Sequence, residues 1–305
     1  VAPPPTAHLV LQLSDARQAQ FAGYYVAQAR GYFRAEHLDV TIRQAPPAAD
    51  GTPPQPGADI YSAWLRPALA AGQGLDLTNI AQVFLHSGLV LICRRSSGIR
   101  SPADFRGHRF GVWPAIAGPA VDAWLRRIGD AAVTIVPVQF QPGLPGIAPL
   151  LREQVDCLTG LDYEQYWDLI AAGADRDALT VFQFGDQGLA PLQDGLWVPG
   201  ETLADPARTE IDARFLRASL RGWHFAITHQ PETVSIILAG QNASAAETLR
   251  QTRMLRTVAR LVQANLQKMF YLEPAAYDRA LQLLPPGDWP QHAWTHAIWN
   301  RATGG

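Results

Sequence analysis

Short apolar or β-branched runs alternate with stretches of helical periodicity along the first two thirds of the chain, and this constrains the fold more than any other feature. Leu9-Val10-Leu11-Gln12-Leu13 reads as a strand, residues 20–30 as an amphipathic helix ending at Gly31, and Asp39-Val40-Thr41-Ile42 as a second strand. Asp59-Ile60-Tyr61 reads as a short strand entering a helix around 66–71, and 79–84 and 88–93 are strand-like again. Residues 45–58 hold five prolines and two glycines and read as a loop. The alternation predicts an α/β fold with parallel sheet and helices on its faces.

A second such unit opens with the strand Arg109-Phe110-Gly111-Val112-Trp113, turns over 114–119 and enters a helix over 120–128. A strand over 133–140, a Pro/Gly-rich loop, a helix over 147–154 and a strand over 155–158 follow, then a helix over 163–172 and a strand over 179–184. From Asp212 the pattern is helical, over 215–229, 231–239, 245–268 and 274–284, the last marked by Pro274 just inside its start. The order suits two lobes joined by two crossings: residues 1–93 with 196–305, completed by the C-terminal helices, and residues 94–195.

The 305 residues carry a formal net charge of −2, which gives no electrostatic reason to expect nucleic acid or an anionic membrane as partner. No apolar run reaches the length needed to cross a bilayer. Cys93 and Cys157 are the only cysteines, each in an apolar strand-like run, and read as buried small hydrophobes; a bridge between them stays open. The chain opens at Val1 without a charged and apolar leader, as a mature secreted form or an excised domain would.

Two segments place aromatic and amide side chains where a small ligand can be gripped. In the first, Gln20 offers donors and an acceptor to a heterocycle edge, and one of Phe21 and Tyr24 reaches the ligand while the other packs as core. In the second, Trp64 stands between a strand and a helix, either stacking on a planar ligand or wedging helix onto sheet. His86 is a candidate for tuning binding with pH, or a satisfied structural histidine. Trp113 is cleft wall or core, and the loop after it opens onto a helix whose free N–H groups are reduced by Pro114 and Pro119. Tyr163 and Glu164 can stack on a ring and accept from an exocyclic amine, or simply begin a helix. Asp186 and Gln187 sit in a turn marked by Gly188 and either contact ligand or cap local backbone.

Several ordered segments resemble one known family. These are Gln20-Phe21-Ala22-Gly23-Tyr24-Tyr25, Leu38-Asp39-Val40-Thr41-Ile42, Ser101-Pro102-Ala103-Asp104-Phe105-Arg106-Gly107 with Arg109-Phe110-Gly111-Val112-Trp113, and Gln193-Asp194-Gly195-Leu196-Trp197. The run Phe215-Leu216-Arg217-Ala218-Ser219-Leu220-Arg221-Gly222-Trp223 adds to them. Together they resemble the thiamine-precursor (pyrimidine) binding family of solute-binding proteins. The resemblance implies a two-lobed type II periplasmic binding protein fold with a hinge and a central ligand cleft. It also implies a small planar heterocyclic ligand, an ABC-transporter permease as membrane partner, a monomeric extracytoplasmic receptor, and no cofactor. A sensing domain of a larger membrane receptor is the alternative it carries. The chain departs from the family pattern at Ser14-Asp15-Ala16-Arg17, at Pro114 to Pro119 and at Gln187, where the family commonly has Trp, a Gly-rich loop and Glu.

The same family includes enzymes that make the thiamine pyrimidine from pyridoxal phosphate, held by a first-lobe lysine and assisted by a cysteine-rich iron motif. The only lysine here is Lys268 and the cysteines are not clustered, so no such Schiff base is expected. No G-x-S-x-G elbow, phosphate-binding loop or H-E-x-x-H helix offers another catalytic reading.

Overall fold

The computed structural model describes residues 5–45, 51–72, 74–129, 132–139, 146–262 and 266–304. The chain forms two compact units: Val1–Leu85, Leu192–Asp278 and Asp288–Gly305 make unit 1, and His86–Pro191 with Arg279–Gly287 make unit 2. Unit 1 begins with β1 (Ala7–Gln12), α1 (Ala22–Ala29), α2 (Tyr32–Ala35), β2 (Leu38–Arg43), β3 (Ile60–Ala63), α3 (Leu65–Leu69) and β4 (Leu77–Gln82). Unit 2 follows with β5 (Leu89–Arg94), β6 (Arg109–Val112), α4 (Gly118–Arg127), β7 (Thr134–Pro137), α5 (Ala148–Leu151), β8 (Cys157–Leu161), α6 (Gln165–Ala171) and β9 (Leu179–Gln183). The chain re-enters unit 1 with β10 (Gly195–Pro199). It continues through α7 (Pro206–Thr228), α8 (Gln230–Leu238), α9 (Ala245–Val262), α10 (Pro274–Leu281) and α11 (Ala297–Thr303).

Each unit is built on a five-stranded sheet, ordered β2-β1-β3-β10-β4 in unit 1 and β7-β6-β8-β5-β9 in unit 2. Both sheets are mixed, a correction to the parallel sheet expected from the alternation. The antiparallel strand is β10 in unit 1 and β5 in unit 2. In each unit it is the first strand laid down after the chain crosses over. The other strands of each unit share one direction because crossover connections, most of them helical, return the chain to the same end.

The unit 1 core forms where α1 meets α7. Gly23 and Gly222 let the two helices approach so closely that a Cβ on Gly222 would strike the Gly23 carbonyl, and one on Gly23 would strike the Trp223 indole. Around this contact Phe215 stacks on Phe33 at 5.3 Å between centroids, and Tyr24 meets Trp223 edge-on at 6.0 Å. Arg208 on α7 reaches back to the sheet, bonding the carboxylates of Asp59 (2.8 Å) and Asp212 (3.0 Å). The other Asp59 oxygen accepts the Val10 N–H, so one ion cluster ties α7 to two strands.

Helix α7 starts at Pro206, nine residues before the 215–229 stretch legible from periodicity. The Asp205 carboxylate accepts the Ala207 N–H, and Pro206 follows as the first helical residue. The predicted 245–268 helix ends at Val262, with a 3₁₀ turn at Leu266–Lys268 beyond it; residues 263–265 lie outside those described. So do 46–50 of the predicted loop, and 140–145, which take in the end of the predicted 133–140 strand and the loop after it. Cys93 and Cys157 are opposite one another on β5 and β8 and are disulfide-bonded, which closes the alternative the sequence left open. Both are fully buried, so the bridge lies inside the sheet's packing. No helix among the described residues is long and apolar enough to cross a membrane.

Candidate functional site

Strands β2, β1 and β3 are parallel and end at one edge of the unit 1 sheet. Ligands of open α/β sheets bind beyond such carboxyl ends. Because β10 runs the other way, it starts at this edge, with Gly195 paired to Ala63 on β3 and Gln82 on β4. The edge therefore collects Ser14-Asp15 after β1, Ser62-Ala63-Trp64 at the end of β3, and Gln193-Asp194 just before β10. A cavity of about 280 Å³ opens here, lined by Ser14, Ser62 and Trp64 together with Tyr61, Arg43 and the prolines of the 53–56 loop.

The groups behind the cavity form a fixed relay. The turn Ala19–Phe21 precedes α1, and the Ala19 N–H donates to Gln251 Oε1 on α9 at 2.7 Å. Gln18 Nε2 donates to Gln20 Oε1 (2.8 Å), and Gln20 Nε2 donates to Asp194 Oδ2 (2.7 Å). Gln20 and Asp194 are 0 % and 2 % exposed, so this is a carboxyl almost wholly out of water. Burial pushes the Asp194 carboxyl up to about 7; the bond from Gln20 pulls the other way, and the nearby Asp15 carboxylate adds to the rise. Asp194 also holds a left-handed backbone, φ 46°, which Asp tolerates better than most residues.

Six buried polar atoms in this neighbourhood make no hydrogen bond within the protein: Ser14 Oγ, Ser62 Oγ, Tyr24 Oη, Trp64 Nε1, Trp223 Nε1 and Asp194 Oδ1. Buried polar groups are rarely left so; of these six, Ser14, Ser62 and Trp64 belong to residues that line the cavity, while Tyr24, Trp223 and Asp194 stand behind them, Asp194 near the Ser14 hydroxyl. The Tyr24 hydroxyl lies near Ser62 and Trp223 without completing a bond to either. Burial and the Asp194 charge hold its ionisation far above the ordinary phenol range.

Of the residues singled out from sequence, Gln20, Tyr24 and Trp64 come together at this edge. Trp64 stands at the entry of α3, as its N-cap, and lines the cavity. Phe21 is buried at the start of α1. The rest lie in unit 2. Trp113 follows β6, donates its backbone N–H to the Thr159 hydroxyl (3.1 Å), and packs against the unit 2 core. Tyr163 and Glu164 follow β8; the Tyr163 ring lies against Gly88, and Glu164 is the N-cap residue of α6. Asp186 and Gln187 occupy a 3₁₀ turn after β9, where Asp186 is exposed and the Gln187 carbonyl accepts from Arg127. His86 is exposed, at the start of unit 2.

Sequence reading passed over Ser14, Ser62 and Asp194 as candidates. Asp194-Gly195 ahead of a strand reads locally as a turn, and two serines carry no signal of their own. Only the sheet order, which sets β10 between β3 and β4, reveals that these positions share an edge.

Three proteins of known sequence or structure show how far the likeness runs. The riboflavin-binding protein RibY of Chloroflexus aurantiacus (strain ATCC 29366 / DSM 635 / J-10-fl) is 25% identical over 251 residues, covering 78% of this chain and 69% of its own. A solved protein of Bordetella bronchiseptica RB50 superposes with a TM-score of 0.65 at 17% identity, covering 98% of this chain and 97% of that one. The periplasmic aliphatic sulphonate binding protein SsuA of Escherichia coli superposes with a TM-score of 0.59 at 14% identity, covering 92% and 87%. At these identities the structural likeness establishes the fold, that of periplasmic binding proteins, and the NMT1/THI5-like sequence family matches residues 18–233. The chain therefore belongs to the NMT1/THI5-like family.

Proposed function

We propose that the protein is an extracytoplasmic receptor that captures a small planar heterocycle, of the aminopyrimidine or flavin kind, for an ABC-type importer. The observation that carries this reading is the group of buried, unpartnered polar atoms beside the Trp64-lined cavity at the carboxyl edge of the unit 1 sheet. Trp64 supplies a ring face for stacking, and the hydroxyls, the indole N–H and the Asp194 carboxyl supply hydrogen bonds to ring edges. The riboflavin-binding relative favours a flavin among the heterocycles.

The Cys93–Cys157 bridge supports a place outside the cytoplasm, since disulfides persist in oxidising compartments. Binding without chemistry suits the single lysine, Lys268, which is exposed and ion-paired with Glu273 at 2.9 Å and is no buried amine poised for a cofactor. In this reading the receptor acts as a monomer and hands its ligand to a membrane permease.

The test is calorimetric titration of the purified protein with riboflavin, a 4-aminopyrimidine thiamine precursor and a set of nucleobases, followed by mass spectrometry of the recovered ligand. Saturable binding with the ligand returned intact supports the reading. A chemically altered ligand, or no heat with any of these compounds, overturns it.

A further inference from the structure

Resting on that reading, we infer that the ligand is uncharged or cationic and presents an N–H edge to Asp194, so that the site rejects anions such as alkanesulfonates. The Gln20 amide occupies Asp194 Oδ2, and Asp194 Oδ1 is buried with no completed hydrogen bond in the protein, the Ser14 hydroxyl standing near the carboxyl without closing one. The register that pairs Gly195 with Ala63 brings Asp194 and Trp64 to neighbouring positions at the same end of the β10–β3 pair. With the carboxyl ionised, above about pH 7, an acceptor and a ring wall thus stand side by side. A second carboxylate, Asp15, is buried close by, its Oδ1 already accepting the Ala16 N–H at 2.6 Å.

The charged residue lining the cavity is Arg43, which is exposed at its margin, while the buried ionisable groups around Asp194 are acidic or phenolic. An anionic headgroup brought into this edge would lose its water and face buried carboxyl groups, and an unmet charge of that kind is strongly disfavoured. An N–H donor instead completes the bond that Asp194 Oδ1 lacks. A site built to bond such a donor discriminates against the analogue without it.

The experiment uses methylated pairs: riboflavin against its N3-methyl analogue, and a 4-aminopyrimidine against its 4-dimethylamino analogue, with 1-hexanesulfonate as the anionic probe. The wild-type protein is expected to bind at least one parent compound ten-fold or more tighter than its methylated partner and to give no response to the sulfonate. Asp194→Asn keeps the side chain's shape and a residue that tolerates the left-handed backbone. Because Gln20 would still claim the carbonyl oxygen, an NH₂ group would replace the free acceptor, and the preference for the parent compound is expected to vanish while the melting temperature at pH 7 to 8 is no lower than that of wild type. Equal affinity within both pairs in the wild type, or sulfonate binding as tight as the heterocycle's, would sink the inference while leaving small-molecule capture intact. Silence toward every compound would instead remove the reading on which it rests.

Discussion

Trp64 and Asp194 make opposite physical contributions at one end of a strand pair, a polarisable ring face and a buried acid. If Trp64 is the stacking wall, Trp64→Ala weakens heterocycle binding by about 1–3 kcal/mol, the worth of burying a large aromatic against a ring. Titration calorimetry on the folded variant checks this, and unchanged affinity would return Trp64 to a purely structural wedge. Asp194 makes a separate prediction about stability. Its carboxyl titrates near 7 in the fold and near the ordinary value of about 3.9 when unfolded, so between these limits the native state holds the extra proton. Its stabilising effect is complete below about pH 4 and is lost as pH rises toward 7, a change of at most about 4 kcal/mol. Asp212, pushed up to about 6 mainly by burial, slopes in the same direction. The diagnostic quantity is therefore the difference in urea-unfolding free energy between wild type and Asp194→Asn across pH 4 to 8. A flat difference would contradict the buried-acid assignment.

The contact between α1 and α7 sets where Gln20 and Tyr24 stand, because α1 carries Tyr24 and follows directly from the turn holding Gln20. Gly222 is the narrowest point: a methyl there meets the Gly23 carbonyl and lies 2.9 Å from the Ala27 Cβ. Gly222→Ala is expected to destabilise unit 1 by about 1–3 kcal/mol by overpacking, despite the better helix propensity of alanine. Gly118→Ala is the matched control, since its added methyl meets nothing within 4 Å at the start of α4. Denaturant unfolding of the two variants side by side would show the contrast, and equal stabilities would mean the helices adjust freely. The early start of α7 illustrates how a local signal can outweigh periodicity. Asp205-Pro206 is a strong helix start, yet the first turns it opens are polar, Pro206 to Glu210, and carry no apolar stripe to mark them.

At the scale of the whole molecule, the disulfide ties together strands 64 residues apart in sequence within unit 2. Removing it as the Cys93→Ala/Cys157→Val pair is expected to lower unit 2 stability by about 2–4 kcal/mol through the larger entropy of the unfolded chain. Scanning calorimetry would record the loss, and an unshifted transition would mean that the strand pairing alone holds the two positions. The sequence by itself determined the α/β class, nearly every strand and the helical character of the C-terminal region, because strand and helix periodicities are written in neighbouring residues; its ordered segments resembled a narrower pyrimidine-binding group, of which the broader NMT1/THI5-like family is what the comparison bears out. It also singled out Gln20, Tyr24 and Trp64, since aromatic and amide side chains at element ends are visible locally. Strand direction, the cysteine pairing and the company Asp194 keeps were decided by tertiary structure alone. Each depends on residues far apart in sequence: β10 slots between β3 and β4, Cys93 meets Cys157 across a sheet, and Gln20 bonds Asp194 from 174 positions away. An acid in a turn before a strand is ordinary by sequence; its burial beside an amide, an indole and two hydroxyls makes it chemically particular, and only the packed sheet edge supplies those neighbours.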